Sequence, residues 1–307
     1  MKLIRAASEL KPGSKKVCLA IGFFDGLHLG HQQIIRQAIA DARQHNALAL
    51  ALTFDAHPNT IVAPNSVPQL IYSLPQKLHT IELLNPDALL LIHFDRDFSE
   101  QPGEDLIRGL ARELGAIQSV CVGQNFAFGR KRSGNVALLK QLGSEMGFHV
   151  HDLAAVALGG RVISSTRIRE AIRIGNLDAA GQMLGRSYSI SGRVIKGDQI
   201  GRTLGFPTAN LDTAGLVLPP NGVYSGIVTL ENSPHPAALN IGRRPTIAGA
   251  ESPLRVEAHV LDFEGDLYGR EIEITVGNKL RDERKFASAN ELREQIALDV
   301  SEARKGF

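Results

Sequence analysis

Apolar residues in the first half of the chain recur in two alternating rhythms. Unbroken runs at Val17–Ile21, 47–53, 88–93 and 119–122 read as buried strands. Between them, residues 32–45 place Ile34, Ile35, Ala38 and Ile39 on one helical stripe, and Leu106, Leu110 and Leu114 repeat that spacing. Strand and helix in alternation, with short connections, predict a parallel sheet covered on both faces. Residues 164–175, carrying Ile168, Ile172 and Ile174, predict a further helix stopped by Gly175, and Leu177–Leu184 predicts one more.

Around Gly185 the rhythm changes. Residues 188–195, Gly222–Leu230, 254–261 and 271–276 alternate apolar with polar positions, and turn signals separate them at Gly197-Asp198, 219–222, Ser233-Pro234 and 262–269. Closely spaced strands of this kind predict a small antiparallel barrel. Ala289–Lys305 then reads as a closing amphipathic helix with Leu292, Ile296, Ala297 and Val300 on one side. The fold class is α/β followed by a β-barrel, divided near residue 186 into domains 1–185 and 186–307.

A length of 307 residues, 43% hydrophobic, suits two cores. The net charge of +2 is too small a basic excess to indicate nucleic acid or a lipid surface, and the longest basic cluster is only Arg130-Lys131-Arg132. Cys18 and Cys121 lie in apolar segments and read as buried thiols. The first 16 residues include Lys2, Arg5 and Glu9 without an apolar core, so no signal peptide is expected, and no run approaches a membrane span. The expectation is a cytoplasmic protein acting on small anionic molecules, with no nucleic-acid or membrane partner and with self-association left open.

The first strand is followed by Gly22-Phe23-Phe24-Asp25-Gly26-Leu27-His28-Leu29-Gly30-His31. Glycines let backbone approach a phosphate, and a helix start offers free N–H groups and a positive dipole end. His28 and His31, three apart at that start, can aim both imidazoles at one place, where donors would stabilise charge on a reacting phosphate. Gly22, Phe23, Asp25, Gly26 and Gly30 are the accompanying nucleotide contacts expected here. Thr53 to Pro58 puts Asp55 and His57 at a strand's carboxyl end, and Asn125, with Phe126 and Phe128, follows the fourth strand. Ser164, Ser165 and Thr166 with Arg167 and Arg169 crowd a helix start; one hydroxyl suffices as a cap, so the cluster reads as a phosphate clamp.

In the second half, Gly192 to Asn210 carries glycines around Lys196 and Arg202 without a Walker ending, a composition suited to a flap over phosphates. Its nucleotide contacts are read as Gly197, Gly201, Arg202, Gly205 and Pro207. Thr208 and Asn210 are two apart and share a face of an extended strand, so their oxygens could hold Mg²⁺. Alternation puts Glu257 and His259 on one face, a pattern that a solvated outer face explains equally well.

The N-terminal strings resemble the FAD synthetase module of the bacterial bifunctional riboflavin kinase/FAD synthetase family, a branch of the HxGH nucleotidyltransferases, over roughly residues 15–185. Gly205 to Asn210, Asn240 to Thr246 and Glu257 through Gly269 resemble the riboflavin kinase module of the same family over about 188–290. The resemblance implies that His28 and His31 contact ATP phosphates, that Asn125 positions nucleotide or metal, and that Ser164, Ser165, Thr166 and Arg169 bind phosphates. It further implies a six-stranded barrel, Mg·ATP at Thr208 and Asn210, and Glu257 as base toward the ribityl hydroxyl. Riboflavin, FMN, FAD and ATP would then be substrates or products. Rival readings are a relative with one decayed half, an enzyme adenylylating another phosphate such as phosphopantetheine, and a flavin-binding regulator without turnover.

Overall fold

The computed structural model describes residues 1–231, 233–243 and 254–305, so Arg244, Pro245 and Thr246 of the string Asn240 to Thr246 lie outside the described residues. Contacts divide the chain into two units: Met1–Pro68 with Lys77–Ser164, and Gln69–Gln76 with the chain from Ser165 onward.

In the first unit the apolar runs become a parallel sheet. Its strands are β1 (Lys2–Ile4), β2 (Val17–Ile21), β3 (Leu48–Phe54), β4 (Ala88–Ile92), β5 (Ile117–Gly123) and β6 (His149–Leu153), in the order β1-β4-β3-β2-β5-β6. Every residue of β2 is buried, as a strand covered on both faces requires. β1 and β6, short or polar and placed at the sheet edges, escape the apolar-run signal. The helix α1 (Leu29–His45) buries the expected stripe of Ile34, Ile35, Ala38 and Ile39. It also buries Asp41, whose carboxylate accepts from Gln37 at 2.7 Å, Ser119 at 2.6 Å and His151 at 2.9 Å. Strand order reverses at β2, which has β3 on one side and β5 on the other. Such a switch point opens a crevice outside the strands' carboxyl ends, and Gly22 to His31 leaves β2 at that place.

The second unit holds a closed barrel of β7 (Ser189–Ile195), β8 (Ala209–Leu211), β9 (Gly222–Leu230), β10 (Ser233–Arg243), β11 (Leu254–Val260) and β12 (Glu271–Arg281). The order is β7-β8-β11-β10-β9-β12, and every neighbouring pair is antiparallel. Ser233-Pro234, expected as a turn, instead opens β10: Leu230 pairs with Ser233, and Glu231 takes a positive φ of 52° in the tight connection. β12 runs past 276 to Arg281 because bulges beside Tyr224 absorb the break in alternation.

Two segments from before residue 186 pack within this second unit. Residues 69–76 pair through Leu70 with Leu216, and the Gln76 amide donates to the Ser189 carbonyl, the Ser189 hydroxyl and Glu273. The helices Ser165–Arg173 and Leu177–Leu184 belong there too.

The closing helix spans Ala289–Lys305 as read, but its buried face differs from the apolar reading. Ala297 is exposed, while Asp299 is buried and takes Arg281 in a forked pair, Nε at 2.8 Å and Nη2 at 2.7 Å. Asp299→Ala is therefore expected to cost the second unit about 3 kcal/mol by leaving the guanidinium uncompensated. Denaturant unfolding followed by tyrosine fluorescence checks this, because Tyr72, Tyr188, Tyr224 and Tyr268 all belong to that unit and the chain has no Trp.

Candidate active sites

The Gly22–His31 string folds as a tight, strained turn. Phe24 is left-handed at φ 57°, a 3₁₀ turn covers Asp25–Leu27 with Gly26 at φ 72°, and His28 caps α1. Glycine is needed at 22, where a Cβ would lie 2.5 Å from the Phe24 ring. His28 accepts the His31 N–H on its Nδ1 at 3.4 Å, and the two imidazoles stack with centroids 3.6 Å apart. An Nδ1 that accepts leaves the proton on Nε2, so neutral His28 carries a donor directed away from the helix end. A Cβ at Gly30 would come within 3.2 Å of the His28 ring, so glycine leaves that ring its room. Burial, then His28, then Lys77 push His31 well below its ordinary value, which makes it neutral at pH 7.

Around this mouth stand Lys77, which the strings did not reveal, and Asp55 and His57, which they did. The Lys77 ammonium, buried at the ends of β2 and β3, donates to Phe54 O at 2.7 Å and to Phe23 O at 3.3 Å, and lies 4.3 Å from the centre of the Phe23 ring. Burial lowers it to about 8, against the opposing charges of Asp25 and Asp55. In sequence it was one lysine on an unremarked helix, Leu74–Glu82. His57 packs edge-on against Phe23 at 4.8 Å. Asp55 accepts from His93 Nδ1 at 2.6 Å and from the Phe94 N–H at 3.1 Å; burial raises it, and these partners more than offset that.

Asn125 is exposed at a turn closing from the Phe126 N–H to Gly123 O, beyond the end of β5. Phe126 and Phe128 stack at 5.2 Å and pack on the sheet's core, which explains them without a ligand. The hydroxyl cluster spans the division of the chain: Ser164 ends the first unit, while Ser165, Thr166 and Arg169 lie in the second. Arg169 is buried, and its Nε donates to Gln69 O at 2.6 Å.

On the barrel, register does what alternation could not. Asn210 pairs with Glu257 across β8 and β11, and Glu257 pairs with Asn240 across β11 and β10. Directly opposed residues share a face, and Val256 and Ala258 fill the interior, so Asn210, Glu257 and Asn240 form a row on the outer face. Gly197 lies against this row, since a Cβ there would meet the Asn210 amide at 2.3 Å, and a Cβ at Gly201 would meet Phe206 O at 2.4 Å. Gly205 holds φ 90°. His259 donates from Nδ1 to Pro207 O at 2.8 Å, fixing the chain just before Thr208. A cleft of about 560 Å³ has Gln199, Arg202, Pro207, Thr208, Phe263 and Tyr268 on its wall; Gly197, Gly201, Gly205, Asn210 and Glu257 do not line it. Phe263 and Tyr268 had no sequence signal of their own, whereas His259 shares its face with Glu257 by alternation.

A family model described as FAD synthetase matches residues 10–167, and one described as riboflavin kinase matches 184–307. The bifunctional riboflavin kinase/FMN adenylyltransferase of Escherichia coli strain K12 is 38% identical over 309 residues, covering 100% of this chain and 98% of that protein. The protein of the same name from Haemophilus influenzae is 36% identical, with 100% and 99% covered. The crystal structure of a macrolide-efflux protein from Streptococcus pneumoniae matches with a TM-score of 0.80 at 27% identity, over 99% of each chain. Among the described residues no helix is long and apolar enough to cross a membrane. With both models in place and full-length relatives well above 30% identity, the chain belongs to the bifunctional riboflavin kinase/FMN adenylyltransferase family.

Proposed function

We propose that the barrel transfers the γ-phosphoryl of ATP to the ribityl hydroxyl of riboflavin, giving FMN and ADP, and that residues 1–185 join FMN to the AMP moiety of a second ATP, giving FAD and pyrophosphate. Two chemically distinct cradles in one chain carry this reading: the stacked His28–His31 pair at the switch point, and the Asn210–Glu257–Asn240 row on the barrel. Incubating purified protein with riboflavin, ATP and Mg²⁺ and separating flavins over time tests it. FMN should appear first and FAD after it; ATP-independent flavin binding without products would overturn it.

In adenylylation the FMN phosphate is the nucleophile. It is already anionic at neutral pH, its second pKa being about 6, so no base is required. The Gly22–Gly30 loop with Phe23, Asp25 and Gly26 surrounds the triphosphate, Asn125 reaches it from beyond β5, and Ser164, Ser165, Thr166 and Arg169 supply the later phosphate contacts. His28 and His31 act as donors toward the α-phosphate as charge builds there.

In the kinase, Glu257 orients the ribityl hydroxyl and takes its proton, and Gly197, Gly201, Arg202, Gly205 and Pro207 form the flap over ATP. Thr208 and Asn210 would hold Mg²⁺. Their donors are neutral oxygens, and among the described residues no group of three His, Cys, Asp or Glu stands ready for a metal, so the set fits an ion bound mainly by phosphates and water. When bound, Mg²⁺ neutralises charge on the β- and γ-phosphates. Asn210→Ala should raise the Mg²⁺ concentration for half-maximal FMN formation on the order of tenfold and leave FAD formation from FMN unchanged, as a Mg²⁺ titration would read. An ATP-consuming enzyme with two buried free thiols suits the cytoplasm, and the small net charge suits neither nucleic acid nor membrane as a partner. Self-association is compatible with this reading and is not required by it.

A further inference from the structure

A buried lysine is costly, because taking an ammonium out of water is repaid only by close acceptors and counter-charges. A structural role at the centre of a sheet's carboxyl edge would be served more cheaply by an apolar side chain. Lys77 is nonetheless 4% exposed, and its ammonium joins two carbonyls from different strands: Phe54 O closes β3, and Phe23 O begins the loop after β2. Phe23 O also accepts the Thr53 hydroxyl at 2.9 Å, so this peptide is held from two directions. In a trans peptide the N–H points opposite to the C=O, so pinning the Phe23 carbonyl also sets the Phe24 N–H, and Phe24 is the left-handed residue that starts the turn to His28.

We propose that Lys77 is a positioning residue for FMN adenylylation: its ammonium ties the loop bearing His28 to the end of β3 and brings a positive charge to the mouth beside His31. This rests on reading the switch-point mouth as the adenylylation site.

The electrostatics of the neighbourhood agree. The stacked imidazoles, 3.6 Å apart, would repel one another if both were protonated, and burial keeps His31 neutral. The pair can donate hydrogen bonds, but His31 carries no charge to meet the negative charge growing at the α-phosphate. Lys77, like His28, lies within electrostatic reach of His31 and helps hold it neutral. It is faced by Asp25 from the loop and by Asp55 from the end of β3, and Asp55 is itself bound to His93 beyond β4. With its ordinary value lowered to about 8, Lys77 remains mostly protonated at neutral pH.

The test uses the full-length protein with Lys77→Met and Lys77→Gln, measuring kcat and KM for FAD formation from FMN across pH, with FMN formation from riboflavin as the internal control. Both variants should lose on the order of tenfold in kcat with little change in KM for ATP. Removing the cation makes His31 easier to protonate, so the acid limb of the profile should move to higher pH. The basic limb expected near pH 8, where wild-type Lys77 loses its proton, should disappear. A purely structural role would lower the amplitude and leave both limbs in place; that result, or a wild-type kcat in a folded variant, overturns the proposal. If Met destabilises the turn, Gln, which keeps an N–H toward a carbonyl without the charge, reads the same two limbs. A wild-type protein that forms no FAD from FMN would instead remove the adenylylation reading, and this inference with it.

Discussion

His28→Asn is expected to lower FAD formation from supplied FMN on the order of 10²-fold or more in kcat while FMN formation from riboflavin stays at the wild-type rate. Asparagine is the informative replacement because His28 does two things at once. Its Nδ1 accepts the His31 N–H and so caps α1, and its ring stacks on His31 beside the switch-point crevice. Alanine removes both roles and would cost about 1 kcal/mol of cap stability, confusing a kinetic loss with a folding one. Asparagine is among the best N-caps, so it retains the acceptor while deleting the Nε2 donor. Separate assays of the two half-reactions, with a thermal melt of each variant, decide the matter. An asparagine variant that makes FAD at the wild-type rate would reduce His28 to a helix cap and remove the chemical basis for the N-terminal site.

Glu257→Gln should do the reverse, lowering FMN formation by about 10²- to 10⁴-fold with FAD formation from FMN untouched. The competing account is that Glu257 is an ordinary charge on the outer face of a barrel, where a substitution shifts stability within about 0.5 kcal/mol and leaves rates alone. Register argues against it: Glu257 faces Asn210 on one neighbouring strand and Asn240 on the other, and Asn210 is itself covered by the backbone at Gly197. A carboxylate in register with an amide on each neighbouring strand is the candidate to orient a hydroxyl. Glutamine keeps the shape and loses the base, so a variant with normal kinase turnover would show that another group accepts the proton. If either substitution abolished both half-reactions in a folded protein, the assignment of one reaction to each half would fall.

Much of this molecule is decided within short stretches of chain, and those stretches are legible. Val17–Ile21 has no polar residue and could only be an interior strand; Ile34, Ile35, Ala38 and Ile39 repeat at helical spacing and could only face a core. The mouth at Gly22 to His31 is local in the same way, because a tight turn into a helix start is built from consecutive residues, and the stacking of His28 on His31 needs only their three-residue separation. The barrel's alternation announced its strands but not their partners. Where local signals were weak, the reading failed at the expected places: the polar edge strand His149–Leu153, and the Ser233-Pro234 pair that proved to be strand rather than turn.

By itself, then, the sequence determined two folded modules and their order, because backbone propensity and hydrophobic period act over neighbouring residues. Tertiary structure alone decided which distant residues meet. Asn210 and Glu257 are 47 positions apart and become partners only through strand register. Lys77 and Asp299 look like solvated charges on helices until packing buries them against Phe23 and Phe54 or against Arg281. Residues 69–76 join the barrel's unit through contacts with distant residues such as Leu216, Ser189 and Arg169. A charge in sequence carries no mark of its burial, since the acceptors and counter-charges that make burial tolerable come from elsewhere in the chain.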